Sequence, residues 1–166
     1  MTEKDFARDL VRGLKSQGAW AEKWPDLARA VVKPFDIAMS YAIQFHPIEC
    51  KLRDFKGKEM LPGKTVILSP ADFKGRKHQL PRLIGMWENG QASPYIASFM
   101  VLYRELKQPI KKGWMIPVRQ FKHQTTWTLR DLVERQQEWG LVWVANIGWT
   151  CPWLPDPDPK RLQVEE

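Results

Sequence analysis

Two carboxylates and a lysine are spaced in this sequence so that one short hairpin would bring them together. Asp36 stands thirteen residues before Glu49, and Lys51 follows Glu49 by two. Side chains on a strand alternate between its faces, so Glu49 and Lys51 would share one face while Cys50 points to the other. If the preceding strand pairs antiparallel with this one, Asp36 reaches the same patch. Two carboxylates beside an amine suit a hard cation and indicate metal-assisted hydrolysis.

The acid-x-lysine spacing is common in this sequence, so the surroundings must select one copy. Asp158 lies among prolines, and Asp72 follows Ser69 and Pro70 at a predicted helix start. Only Glu49 combines an apolar strand with an acid one hairpin upstream. Taken singly, each residue is better explained by a turn cap or a surface ion pair, and only their combination favours catalysis. The four other copies are Asp54/Lys56, Asp72/Lys74, Glu105/Lys107 and Asp158/Lys160.

Hydrophobic periodicity and turn residues predict the elements that would position these side chains. Pro81 implies that the helix through His78 and Gln79 is broken or begins late, and Thr128 is expected to cap the last helix. The order predicts a mixed α/β core without internal repeats: one domain over residues 1–150 and a Pro-rich, charged tail over 151–166. The predicted elements are a helix over 3–17, a strand entered through 28–34, the hairpin up to 52, a strand over 64–68, a helix starting at 69 or 72 and running toward 87, strands over 94–103 and 114–118, a helix over 128–138 and an edge element over 141–144.

Composition sets bounds on the class of protein. A chain of 166 residues that is 43% hydrophobic can bury one full core. Its first residues are charged where a signal peptide would be apolar, and no apolar run reaches the ~20 residues of a membrane span, so we expect a cytoplasmic protein without membrane contact. Cys50 and Cys151 are expected to be reduced, structural thiols. The three histidines are too scattered for a metal triad, and no G-x-S-x-G, P-loop or dinucleotide-binding pattern occurs.

Positive charge is concentrated directly after the candidate site. The chain has 26 basic and 19 acidic residues, for a net charge of +7, and between residues 51 and 82 nine basic residues face three acidic ones. Such a surface attracts the phosphate backbone of nucleic acid without base specificity. A solvated loop is the alternative, but adjacency to the acid pair favours DNA binding. The candidate DNA-binding residues are Lys56, Lys58, Lys74, Arg76 and Lys77.

Nine tryptophans are a second unusual feature. Some could stack on unpaired bases, but burial in the core or in an oligomer interface is the favoured interpretation. Four of them crowd the end of the chain: Trp139, Trp143, Trp149 and Trp153.

The order of elements, the Pro34-Phe35-Asp36 entry and the Glu49-Cys50-Lys51 exit resemble the PD-(D/E)XK nuclease superfamily. Within it, the chain is most similar to the RecU-type Holliday junction resolvases. That narrower resemblance rests on the interval between the two acids, on an aromatic residue followed by His78 and Gln79, and on the two apolar strands that come next. It covers about residues 1 to 135 and implies a restriction-endonuclease-like mixed sheet flanked by helices.

The resemblance implies that Asp36, Glu49 and Gln79 hold Mg²⁺, for which Mn²⁺ could substitute. Lys51 would orient or activate the attacking water. A helix-one acid often joins such sites, and here Asp9 is the better match by its distance from Gly18, with Glu3 left open. Pro34 departs from the pattern, because resolvases often have a hydroxyl residue there.

The expected activity is cleavage of branched DNA, such as four-way junctions, by a homodimer whose two-fold symmetry matches the substrate. The alternatives are a related nuclease that cuts linear duplex and a basic DNA-binding protein whose acid pair is incidental.

Overall fold

A computed structural model describes residues 1–25, 33–56, 61–76, 78–103 and 108–154. No helix within these ranges is long and apolar enough to cross a membrane. In chain order the elements are α1 (Glu3–Ser16), β1 (Trp20–Lys23), β2 (Ile37–Tyr41), β3 (Gln44–Lys56), β4 (Val66–Leu68), a 3-10 helix (Pro70–Arg76), α2 (Gln79–Glu88), β5 (Tyr95–Tyr103), β6 (Ile110–Pro117), a second 3-10 helix (Val118–Lys122), β7 (Trp127–Thr128), α3 (Leu129–Glu134), α4 (Gln136–Trp139), β8 (Val142–Val144) and β9 (Gly148–Thr150).

A five-stranded sheet in the order β1-β2-β3-β5-β6 forms the centre of the fold. Strands β3 and β5 run parallel, and the other neighbours are antiparallel. One apolar cluster joins the sheet to α1, and a second joins its other side to α2 and the first 3-10 helix. Two-stranded sheets β4-β7 and β8-β9 lie outside this core. The predicted mixed α/β core flanked by helices is confirmed.

Helix α1 forms as its sequence predicts. Thr2 and Asp5 make a reciprocal capping box at its start, which satisfies backbone donors that have no partner within the helix. Phe6, Leu10 and Leu14 recur at four-residue spacing and are buried against the sheet. Gly18, with a positive φ of 89°, follows the last turn, a conformation that glycine adopts without penalty.

Strand β3 separates two kinds of side chain by simple alternation. Ile48 and Cys50 are fully buried in the cluster on the α1 side. Glu49 and Lys51 form an ion pair with each other, and Lys51 contacts Phe73 of the first 3-10 helix on the opposite side. The predicted division of this strand into an apolar and a charged face is therefore confirmed.

Several predicted elements differ from those observed. The predicted helix over 128–138 is two short helices that meet at Arg135, with the expected Thr128 cap in place. The break lies at Arg135, whose φ of −101° and ψ of 16° leave the α-helical region, and next to it Gln136 accepts a hydrogen bond from the Trp114 indole at 2.8 Å. Helix α2 begins late, as Pro81 suggests, and tolerates the proline in its first turn because no intrahelical donor is needed there. Strand β1 was not predicted, and most of the 28–34 entry lies outside the described residues.

The C-terminal hairpin β8-β9 packs against α1. Trp149 is buried and its ring contacts those of Phe6 and Phe99, which agrees with a packing role for this tryptophan. The first residues of the predicted tail belong to the apolar cluster between the sheet and α1. Cys151 is buried in that cluster, and Trp153 and Leu154 pack against it. The Cys151 N–H donates to Gln17 Oε1 at 2.8 Å. Residues 155–166 lie outside the described part of the chain.

Candidate active site

Asp36 lies at the point where β2 begins and where its pairing with β3 stops. Ile37 pairs with Ile48, so the register brings Asp36 beside Glu49. The Asp36 N–H donates to the Ile48 carbonyl at 3.0 Å, and its Oδ2 accepts from the Cys50 N–H at 2.8 Å. Asp36 therefore satisfies a backbone donor of β3 that β2 no longer reaches, and this holds its carboxylate next to the Glu49-Lys51 pair.

The Glu49 carboxylate is the most deeply buried acid of the site, with a residue exposure of 1%. Its Oε1 lies 2.8 Å from Lys51 Nζ, and its Oε2 accepts from Gln79 Nε2 at 2.5 Å. A buried charge is costly unless it is paired and hydrogen-bonded. Both oxygens of Glu49 therefore have the partners that burial demands, and the structure brings Glu49, Lys51 and Gln79 together as the sequence predicts.

The first 3-10 helix covers this face of β3 through contacts that the sequence did not indicate. Lys51 Nζ lies 5.2 Å from the centre of the Phe73 ring, within the range of a cation-π contact. Arg53, two residues beyond Lys51, places Nη2 at 2.8 Å from both Asp72 oxygens. Asp72 also accepts from the Ser69 N–H at 2.7 Å. Strand alternation places Arg53 on the face of Glu49 and Lys51, and its contact with Asp72 agrees with this; its partner was not indicated by the sequence.

Two further charged residues reach the site from either side. Lys33 Nζ lies 3.0 Å from Asp36 Oδ1, and both side chains are largely buried. Glu3, from the first turn of α1, accepts from the Leu52 N–H at 3.2 Å. Asp9, the other helix-one candidate, pairs instead with Arg8 on α1. Of the two helix-one acids, Glu3 is the one that contacts β3, whereas Lys33 was missed because no strand or helix pattern directs its side chain.

The pKa of the Cys50 thiol is raised by burial and by the carboxylates around it. Burial raises its pKa well above the usual value, and the carboxylates of Asp36, Glu49 and Glu3 raise the pKa further. Three acids from separate elements therefore act on one atom. Cys50 remains a protonated, structural thiol, because a nucleophilic cysteine needs a lowered pKa.

The donor set fits a magnesium ion that is completed by solvent and substrate. Among the described residues, no three Asp, Glu, His or Cys side chains are grouped to hold a metal by themselves. Gln79 Oε1 is buried and has no hydrogen-bond partner within the described ranges, which leaves a hard oxygen beside Glu49. Mg²⁺ is usually bound by one or two carboxylates together with waters and substrate phosphates. Asp36, Glu49 and Gln79 Oε1 are oxygen donors of the kind that could hold such an ion.

Only part of the predicted DNA-binding set can be located. Lys74 is exposed on the first 3-10 helix, which is the segment that covers the site. Lys56 ends β3 and Arg76 ends the 3-10 helix, but their side chains are not among those described. Lys58 and Lys77 lie outside the described residues.

No family model matches the sequence, and no curated protein matches it. Among solved structures, the chain is similar to Hjc, a Holliday junction resolvase from Archaeoglobus fulgidus, an archaeal hyperthermophile. The two chains are 21% identical, the match covers 75% of this chain and 87% of that one, and the TM-score is 0.45. The roles proposed below for individual residues rest on the contacts of those residues.

Proposed function

We propose that this chain is a magnesium-dependent, structure-selective endonuclease that cleaves branched DNA such as four-way junctions. The observation that carries the proposal is the buried Glu49 carboxylate, which is held between Lys51 and Gln79 with Asp36 beside it. A buried ion pair adds little to the stability of a fold, because the cost of desolvating the two charges offsets most of their attraction. Buried charged groups gathered on one face are more typical of a site that does chemistry.

Each residue has a role in phosphodiester hydrolysis under this proposal. Asp36, Glu49 and Gln79 Oε1 would hold the cation, and Gln79 Nε2 would keep the Glu49 carboxylate oriented. When bound, Mg²⁺ would supply a Lewis acid and compensate the charge on the leaving oxygen. Lys51 Nζ would orient the attacking water, whose oxygen forms a bond to phosphorus as the bond to the leaving oxygen breaks. Phe73 would limit where the Lys51 ammonium can go.

The substrate class follows from charge and the positions of the lysines. The net charge of +7 favours a polyanion, and Lys74 is exposed on the helix that covers the site. Phosphate contacts of this kind give affinity without reading bases. DNA recognised by shape is therefore the substrate that fits.

A homodimer would present two such sites to the two strands that must be cut at a junction. The hairpin β8-β9 is the candidate interface, since it exposes Val142 and Trp143 on β8 and Ile147 in the turn between the two strands. Exposed apolar side chains that lie close together are typical of association surfaces.

The test uses synthetic four-way junction, fork and linear duplex, each with and without Mg²⁺. We expect paired nicks on the junction that require Mg²⁺, and loss of at least about 100-fold in rate for Glu49→Gln, since metal-held charge stabilisation amounts to several kcal/mol and about 1.36 kcal/mol corresponds to tenfold. Glu22→Gln is the matched control, because Glu22 also pairs with a lysine but is exposed.

Two outcomes would contradict the proposal. Cutting of linear duplex as fast as the junction would make the chain a less selective nuclease of the same chemistry. Retention of DNA without any cleavage in Mg²⁺ or Mn²⁺ would make it a DNA-binding protein whose acid pair is incidental.

A further inference from the structure

Each acid of the candidate site already holds an internal cation. Lys51 Nζ lies 2.8 Å from Glu49 Oε1, and Lys33 Nζ lies 3.0 Å from Asp36 Oδ1. All four side chains are between 1% and 14% exposed. The two pairs are similar in geometry, although Glu49 is more deeply buried than Asp36, and only Lys51 has a role in the proposed hydrolysis.

Lys33 pairs with Oδ1 of Asp36, which is not the oxygen that accepts from the β3 backbone. The other oxygen, Oδ2, accepts from the Cys50 N–H at 2.8 Å. Asp36 therefore has a peptide donor on one side and an ammonium group on the other. A divalent cation that used Asp36 would meet the like charge of Lys33 in a place with little solvent to screen it.

We propose that Lys33 is a resident counter-ion that neutralises Asp36 in the DNA-free protein and gives way to a divalent cation when a DNA phosphate offers its ammonium group a new partner. This inference rests on the proposed function and adds a regulation to it. Lys33 lies three positions before Asp36 and outside β2, so the long side chain can leave the carboxylate without movement of β2. Phosphate is the suitable acceptor because a lysine binds it as a point charge.

The exchange couples the two ligands. If DNA removes Lys33 from Asp36, the affinity for the cation rises when DNA is bound, and by linkage the affinity for DNA rises by the same factor when the cation is bound. The site then stays poorly loaded with metal until it meets DNA. Glu49 is not controlled in this way, because Lys51 acts within the reaction and remains beside it.

The first measurement is Mg²⁺ binding to DNA-free protein by calorimetry. We expect Lys33→Met to bind Mg²⁺ at least about tenfold more tightly than the wild type, within the usual range of coupling between sites. Lys33→Arg should stay near the wild type, because it keeps the positive charge. The matched control is Lys15→Met, since Lys15 also lies 3.0 Å from a carboxylate, that of Glu22, but on the exposed surface.

The second measurement is the coupling itself, made in a Lys51→Met background so that the DNA stays intact. With Lys33 present, a saturating four-way junction should tighten Mg²⁺ binding about tenfold or more. With Lys33→Met added, the factor should fall toward one. Lys33→Gln repeats both measurements if the methionine variant is poorly folded, as judged by its thermal unfolding.

Failure of this inference differs from failure of the proposed function. Equal or weaker Mg²⁺ binding by Lys33→Met, while Glu49→Gln abolishes both cleavage and Mg²⁺ binding, would overturn the counter-ion role and leave the nuclease proposal intact. Tighter binding by Lys33→Met in a protein that cleaves no DNA would support the counter-ion role and overturn the nuclease proposal. Absence of Mg²⁺ binding in every variant would overturn both.

Discussion

The two faces of β3 carry different kinds of side chain. On the α1 side, Ile48 and Cys50 lie fully buried among apolar side chains. On the other side, Glu49 and Lys51 are nearly as buried but charged, and their partners come from α2 and the first 3-10 helix. Residues that alternate along one strand thus serve packing on one side and a polar site on the other. The apolar face tolerates any well-fitting hydrocarbon, whereas the charged face needs specific partners for every atom.

Removing bulk from the apolar face should have the largest effect on stability. We expect Ile48→Ala to lower the free energy of unfolding by about 2–5 kcal/mol, because it deletes buried methyl groups and leaves a cavity. Urea unfolding measures the loss, and the folded fraction should keep its cleavage rate. Ile43→Ala is the control, since the Ile43 side chain is fully exposed. If the folded fraction of Ile48→Ala also lost its cleavage activity, packing on the apolar face would control the charged face.

Changing the charged face should act on cleavage as well as on stability. We expect Gln79→Leu to slow cleavage by about 10- to 100-fold, as for other groups that orient metal ligands. Its thermal unfolding midpoint should also fall, because the buried Glu49 Oε2 loses its donor, although the substitution removes a buried oxygen without a partner among the described residues. Gln44→Leu, at an exposed position, is the control. Unchanged activity would show that Glu49 does not need its amide partner.

His46 adds a titratable group to the buried side of the same strand. Burial lowers the pKa of His46, and its contacts with the Ser93 and Tyr41 backbone offset this in part. Because the unfolded chain then binds a proton more readily, stability is complete above the unfolded pKa of about 6.5 and declines as the pH falls below it. We expect His46→Gln to show a shallower decline between pH 7.5 and pH 5.5 in urea unfolding, with exposed His123→Gln as the matched control. Equal slopes for the wild type and His46→Gln would contradict this.

The turn between β2 and β3 should give the smallest effect and belongs to neither face. Ala42 and Ile43 have positive φ angles of 49° and 67°, and the Ile43 side chain is fully exposed. Non-glycine residues pay for this conformation, whereas Asn-Gly suits a two-residue hairpin. Ala42→Asn combined with Ile43→Gly should therefore stabilise the protein by about 0.5–1 kcal/mol in thermal unfolding. A loss of stability would mean that the exposed isoleucine has contacts of its own.

Local signals explain which parts of the fold were predictable. α1 has a cap, a four-residue apolar spacing and a terminal glycine, and β3 alternates clearly, so both were found. β1 was missed because Trp20–Lys23 buries only Ala21 and exists through its pairing with β2. The helix over 128–138 was predicted as continuous because no proline or glycine marks the break at Arg135.

In the candidate site too, contacts set by local sequence were predictable and contacts between distant segments were not. Asp36, Glu49 and Lys51 lie on one hairpin, so their proximity follows from short-range pairing. Glu3 reaches Leu52 across 49 positions, and Arg53 reaches Asp72 across 19, which only the assembled fold determines. The metal, its ligands and the DNA contacts remain predictions that the experiments above address.

Helix α1, which carries Glu3, lies in close backbone contact with β9 near the other end of the described chain. A methyl group added at Gly13 would collide with the backbone of Trp149, and one added at Gly148 would collide with the carbonyl of Asp9. Either alanine substitution would force α1 and the hairpin apart. If α1 gives way, Glu3 in its first turn moves relative to Leu52, and a replacement far from Asp36 and Glu49 then changes the negative charge at the edge of β3.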